Sequence, residues 1–309
     1  MSAEKEIKAF CAWFFIAVFL AISAVAASSK TVGDAKRTVV DHDGRSVSVP
    51  VTPERVVALA PSVTEIIFAL GRDDRLKGIT TFSDFPESAK RLPTIGSYIH
   101  PDLERIVSLA PDLCIAVKDG NPKQVVMRIE AVGIPVYAVN PRCLESVMAS
   151  ITDIGGLLDA SEKAEEIVAD MRRRMDRVAA GIAGIGDPPG VFFQINASPI
   201  VSAGHDTFIH ELIIRAGGHN LAGDQPSYPR FTMEQVLLLS PDIIIVTTMS
   251  GKGESDAVVA GWRQWARLPA VKNDRVLVVD SGLFDRPGPR LIDALELLVG
   301  LIHPKPDNV

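Results

Sequence analysis

The strongest constraint on this chain is a segment that occurs twice. Leu103-Glu104-Arg105-Ile106-Val107-Ser108-Leu109-Ala110-Pro111-Asp112-Leu113 is echoed by Met233-Glu234-Gln235-Val236-Leu237-Leu238-Leu239-Ser240-Pro241-Asp242-Ile243. Each copy reads as an acid-started helix, a Pro-Asp turn and a buried strand. Helix-turn-strand units can look alike by chance, but agreement at Glu, Leu, Pro and Asp in register favours two related halves facing each other across one cleft.

Around each copy, short apolar runs bounded by turn residues alternate with helical patterns. Strands are predicted at Val56–Leu59, Leu76–Ile79, Leu113–Val117 and Pro135–Val139, then at Val191–Ile195, Ile243–Thr247 and Arg275–Val279. Helices are predicted near Thr207–Ala216, Thr232–Leu239 and Pro287–Leu301. Such alternation implies α/β with a mostly parallel sheet. An edge hairpin turning at Asp43-Gly44 precedes the first strand.

Between the halves lies a helical stretch without strand character. It breaks at Gly155-Gly156 and restarts at Asp159 and Glu162, which have capping-box spacing. The restarted helix carries Ala164, Ile167, Val168, Met171, Met175, Val178 and Ile182 on one face and stops near Gly181, before Asp187-Pro188-Pro189-Gly190. At about 1.5 Å per residue it spans roughly 30 Å, enough to bridge two lobes. The fold class is therefore α/β: two Rossmann-like lobes with a ligand cleft between them, joined by a single long α-helix. Residues 1–26 read as a signal peptide, 27–142 as an N-terminal lobe, 143–186 as a helical linker and 187–309 as a C-terminal lobe.

A length of 309 residues accommodates two such lobes, and 47% hydrophobic with 23% charged residues is the balance of a folded chain. The net charge of −6 contains no basic block, which argues against nucleic acid as a partner. Lys5 and Lys8, the apolar run from Ala9 to Ala26 and the small-x-small Ala24-Val25-Ala26 suggest a cleaved export signal and a periplasmic protein; an uncleaved membrane anchor is the alternative. Cys11 stands at the front of the apolar run, badly placed for a lipid-anchored first residue. Cys114 reads as a core strand residue and Cys143 as the start of a helical pattern, with no support for a disulfide between them.

Enzyme motifs are missing: there is no phosphate loop, no Gly-x-Gly-x-x-Gly turn, no Gly-x-Ser-x-Gly elbow and no His-Glu-x-x-His helix. His205, His210 and His219 come close together at spacings that do not stack on one helix face, so solvated or locally bonded histidines are expected and no metal site. No catalytic residue and no resident cofactor are assigned. Aromatic residues are only 6% of the chain, yet Phe82, Phe85, Tyr98, Tyr228, Phe231 and Phe284 all fall in loops, where ring faces can grip a large flat ligand beyond the strand ends. Of these, Phe85 and Phe231 read as pinning loops to the core. Arg286 and Arg290 flank Pro287-Gly288-Pro289; either can meet a ligand, and Arg290 equally suits a structural salt bridge. Glu104 and Glu234 suit helix starts electrostatically, and as matched surface acids they equally suit docking on basic sockets of a partner.

Three strings carry a family resemblance: Ala58-Leu59-Ala60-Pro61-Ser62-Val63-Thr64-Glu65, Phe82-Ser83-Asp84-Phe85-Pro86, and Leu103 through Leu113. With them the chain resembles the periplasmic binding proteins of vitamin B12 importers, within the wider group serving B12, haem and siderophore ABC importers. The match runs through the second lobe to the last helix. It implies a monomeric carrier, two α/β lobes on one long helix, and a corrinoid such as cobalamin held between aromatic walls. Phe82, Tyr98, Tyr228 and Arg286 match the family's ligand-binding positions; Glu104 and Glu234 match the acids that engage arginines of the membrane permease. Three positions depart from the pattern: a cleft tryptophan becomes Val117, a phenylalanine Ile195 and an aspartate Gly282. A haem or ferric-siderophore carrier, with Tyr98 or His100 as iron ligand, is the alternative within the group, and a solute-sensing receptor subunit the alternative outside it.

Overall fold

The computed structural model describes residues 35–247 and 252–304; the expectations about the signal segment and Cys11 lie outside the described residues. Strands β1 (Lys36–Val40) and β2 (Ser46–Pro50) form the expected antiparallel hairpin, with Gly44 at φ +75° in its turn, a conformation open to glycine at little cost.

The first lobe follows as β3 (Val56–Ala58), α1 (Pro61–Ala69), β4 (Leu76–Gly78), α2 (Leu103–Ser108), β5 (Leu113–Val117), α3 (Lys123–Ala131) and β6 (Val136–Val139). Its sheet has the order β4-β3-β5-β6 and is parallel throughout. Every residue of β5 and β6 is buried, the reason these strands appear as unbroken apolar runs rather than alternating ones. Helices α4 (Leu144–Leu157) and α5 (Ser161–Ile182) come next.

The second lobe comprises β7 (Gly190–Ala197), β8 (Ile200–Ser202), α6 (Phe208–Arg215), β9 (His219–Asn220), β10 (Arg230–Phe231), α7 (Met233–Leu239), β11 (Ile243–Thr247), α8 (Lys252–Arg263), α9 (Pro269–Lys272), β12 (Val276–Val279), α10 (Ser281–Phe284) and α11 (Leu291–Ile302). Strands β7, β11 and β12 are parallel, β9 extends β7 in parallel, and β8 and β10 add antiparallel rungs. The sequence pattern did not foretell β8, β9 and β10, which are too short to show a period.

Both copies of the repeat build the same corner. Asp102 caps α2 by accepting from the amides of Glu104 and Arg105, and Thr232 caps α7 by accepting from Gln235. After each helix one residue turns to positive φ, Ala110 at +44° and Ser240 at +49°. The following aspartate then accepts from backbone amides at the head of the neighbouring strand: Asp112 from Glu54 (2.7 Å) and Arg55 (3.0 Å), Asp242 from Gly190 (2.7 Å).

Two expectations about the linker are corrected. Gly155-Gly156 does not break the helix, since α4 runs through to Leu157. A Cβ on Gly155 would sit 2.6 Å from the Ala164 Cβ, so this glycine serves close packing of α4 on α5. Asp159 does not cap α5: it sits at φ +55°, its carboxylate pairs with Arg75 (3.2 Å), and Ala160 takes the cap position without a side-chain bond. Helix α5 itself has 22 residues and buries Ala164, Val168 and Met171, with Ile167, Met175 and Val178 packed at the margin. Its Arg174 pairs with Asp293 (2.5 Å) and Glu296 (2.6 Å) on α11.

The core does not stop at the lobe boundary. One cluster of buried side chains runs from Val56 and Ile115 through Leu144, Ile151 and Ala164 to Phe193, Ile245 and Leu295. A second tie is polar: Glu211 on α6 accepts from the Leu144 amide (2.6 Å), satisfying a donor in the first turn of α4.

Candidate functional site

A cavity of about 560 Å³ lies between the lobes, walled by loops that follow the carboxyl ends of β3, β4, β5, β6, β7 and β12. Strand ends of open α/β sheets are where such loops converge on ligands. Phe82, Tyr98, Tyr228 and Arg286 all line it, and so do the three departing positions Val117, Ile195 and Gly282. His100 is exposed and stands outside this lining.

On the first lobe, the Phe82 and Tyr98 rings meet edge to face, with centroids 5.9 Å apart at 66°. Buried polar side chains hold both loops. Asn121, 5% exposed, donates to the carbonyls of Leu59 and Tyr98 (both 2.8 Å) and accepts from the Val117 amide (2.8 Å). Thr64 and Thr80 contact the Ser83 hydroxyl at 3.0 and 2.9 Å. The sequence string Ala58–Glu65 thus supplies part of the scaffold of the cleft; nothing local marked Asn121.

On the second lobe Tyr228 stands alone. It is 47% exposed and has no ring partner among the described residues. Backbone pairing carries its loop: Gly204 donates to Ser227 (2.8 Å) and Ser227 to His205 (3.0 Å). A Cβ at residue 204 would fall 1.9 Å from the Gln225 carbonyl oxygen, so only glycine fits there.

Arg286 faces the cleft but is already bonded to the first lobe: to Glu65 (3.1 Å), to Asp84 (2.6 Å) and to the Phe82 carbonyl (2.9 Å). Partial burial acts to raise the Asp84 carboxyl, yet the Arg286 guanidinium holds it below its usual range. Arg290 takes the salt-bridge role, gripping Glu65 at 2.7 and 2.8 Å. Phe85 differs from expectation: it is 43% exposed and lines the cleft, with the Arg290 guanidinium 3.8 Å above its ring, where cation–π attraction replaces core packing. Phe231 does pack inward on Phe192 (5.4 Å), and Phe284 is fully buried against Phe193 (5.7 Å).

Asp285 is the unbalanced group. Neither carboxylate oxygen has a well-aligned hydrogen-bond partner among the described residues, although the Thr247 hydroxyl lies near enough to favour the charged form. Burial pushes its carboxyl up to about 7, while Thr247 and the Arg286 charge pull it down and Asp280 pushes it up.

The histidines are locally bonded, His205 to Asp206 (2.9 Å) and His210 to Asn220 (3.0 Å). Among the described residues no group of three or more His, Cys, Asp or Glu could hold a metal ion. Cys114 is buried in β5 and Cys143 opens α4; both thiols are free. No helix among the described residues is long and apolar enough to cross a membrane.

Two sheets joined through one long helix, with loops from both converging on a single cleft, define a two-lobed solute-binding fold. The chain belongs to the periplasmic binding protein family, which it matches over residues 56–283. That is a family of transport components rather than an enzyme class. It is 31% identical over 273 residues to an uncharacterized ABC transporter substrate-binding lipoprotein of Bacillus subtilis, covering 86% of this chain and 85% of that one. It is 30% identical over 251 residues to the vitamin B12-binding protein of Vibrio cholerae, covering 80% and 88%. The crystal structure of a periplasmic heme-binding protein from Pseudomonas aeruginosa superposes with a TM-score of 0.75 at 28% identity, over 82% of this chain and 94% of that one.

Proposed function

We propose that this chain is the extracytoplasmic substrate-binding protein of an ABC importer, capturing cobalamin or a related corrinoid between its lobes and delivering it to the membrane permease. The observation that carries this reading is the aromatic cleft, with Phe82 and Tyr98 on one wall and Tyr228 on the other, in a chain 30% identical to a vitamin B12-binding protein. Ring faces bury large apolar area against a flat macrocycle, and the Arg286 donors not engaged by Glu65, Asp84 and the Phe82 carbonyl are left for its amide-bearing edge. Calorimetric titration with cyanocobalamin tests the reading, with haem and a ferric siderophore in parallel. One-to-one binding of cobalamin is expected; binding of haem or siderophore alone moves the ligand and keeps the carrier role.

Docking on the permease is assigned to Glu104 and Glu234. Both acids are exposed, neither has an ion-pair partner among the described residues, and the repeat sets them at equivalent corners of the two lobes. Reversing both charges with Glu104→Lys and Glu234→Lys is expected to abolish most transport while leaving ligand affinity intact. Unchanged transport in cells carrying the double variant would refute the assignment. The protein is expected to act in the periplasm as a monomer.

A haem carrier is the second reading, favoured by the likeness to the Pseudomonas aeruginosa protein and by the Tyr98 phenol in the cleft wall, an available iron ligand. A Soret band lost in Tyr98→Phe would establish it.

A further inference from the structure

We propose that Glu65 is the positioning residue of the ligand cleft: it fixes two arginines of the opposite lobe, and these in turn hold the Phe82–Phe85 segment and its rings in binding position. This rests on the reading of the cleft as the ligand site.

Glu65 lies on α1 with its side chain 3% exposed, and its partners are 221 and 225 residues away in the other lobe. A carboxylate so buried persists only when paired and hydrogen-bonded. Arg290 supplies a two-pronged contact, Nη2 at 2.7 Å and Nε at 2.8 Å, and Arg286 adds Nη1 at 3.1 Å. Two guanidinium groups on one carboxylate leave positive charge in excess, and Asp84 shares it through its 2.6 Å contact with Arg286.

Both arginines then reach the same loop. Arg286 donates to the Phe82 carbonyl (2.9 Å), and Arg290 covers the Phe85 ring at 3.8 Å while donating to Gly282 in its own lobe (2.8 Å). Phe82 carries Tyr98 with it through their edge contact. A first-lobe aromatic wall is therefore held from across the cleft, and its position is tied to the separation of the lobes. Charge loss at Glu65 frees Arg290 and leaves Arg286 held only by Asp84 and the Phe82 carbonyl, so the loop leans more on its own-lobe ties through Ser83 to Thr64 and Thr80.

The test uses the exported chain with Glu65→Gln, and Asp84→Asn as a second variant at an exposed position that leaves the core untouched. In ligand-free protein, hydrogen exchange of the Ser83 amide, bonded to the Thr80 carbonyl at 3.1 Å, is expected to quicken about tenfold in Glu65→Gln and less in Asp84→Asn. Affinity for cyanocobalamin is expected to fall about tenfold in Glu65→Gln, and by clearly less when the substitution is made in a Phe82→Ala background, because one of the rings to be positioned is gone and only Phe85 and Tyr98 remain. Unchanged exchange around Ser83 in both variants, or additive affinity losses in the double variant, would overturn the proposal. A wild-type chain that ignores cobalamin while the exchange response persists sinks the ligand reading and leaves the positioning role standing.

Discussion

On the N-terminal side of the cleft, Phe82 and Tyr98 are held by buried side chains: Asn121 under Tyr98, Ser83 with Thr64 and Thr80 beside Phe82, and Arg286 from across the gap. On the C-terminal side, Tyr228 rides a loop that, among the described residues, is tied by backbone pairing, and it shares the cleft with a carboxylate, Asp285, that has no well-aligned hydrogen-bond partner among them. One wall is fixed by many replaceable groups and the other by the main chain. Mutations far from the ligand should therefore disturb the first wall, whereas the second should answer only to its own ring and to pH.

The largest effect is expected at Asn121. Its replacement by Ala strands two carbonyls and an amide in a buried setting, at a cost of about 3 kcal/mol in unfolding free energy. Denaturant titration checks this, and a change below about 0.5 kcal/mol would break the contrast between the walls.

Asp285 sharpens the other side. The fold raises this carboxyl from an ordinary 3.8 to about 7, so the folded chain holds the proton more tightly than the unfolded chain does. Stability should therefore decline as pH rises through that window, by at most about 1.4 kcal/mol per pH unit, and the decline should end above it. Comparing thermal melts of wild type and Asp285→Asn between pH 5 and 8 isolates the contribution: the difference between the two chains should narrow toward acid and widen toward neutrality. Parallel curves would show that the carboxylate finds a partner in solution.

The smallest effects belong to the rings. Phe82→Ala and Tyr228→Ala should each weaken ligand binding by about 1–2 kcal/mol, roughly tenfold. Only the first is expected to loosen its neighbour, seen as a change in Tyr98 environment by ultraviolet difference spectroscopy. An equal disturbance of the second lobe by Tyr228→Ala would erase the distinction.

Much of this architecture was legible because buried parallel strands advertise themselves. Leu113–Val117 and Ile243–Thr247 match their predicted bounds, and both follow the repeated helix and Pro-Asp turn that mark where they begin. Phe82, Tyr98, Tyr228 and Arg286 were also placed in one cleft by resemblance. What escaped has a common physical origin in contacts distant along the chain. The meeting of Glu65 with Arg286 and Arg290 spans more than 200 residues and leaves no local spacing. Gly155 looked like a helix breaker because its reason, the Ala164 methyl of the next helix, is tertiary. Asp159 had the composition of a cap and the backbone of a left-handed turn, a choice settled by Arg72 and Arg75 rather than by Glu162.

The buried cluster that runs from Val56 through Ala164 to Leu295 has a consequence for how the molecule comes apart. Two domains with separate cores melt separately, each at its own temperature. Here neither sheet can shed its inner layer without exposing apolar surface belonging to the other, so heat should take the lobes down together in one calorimetric peak, with van't Hoff and calorimetric enthalpies in agreement.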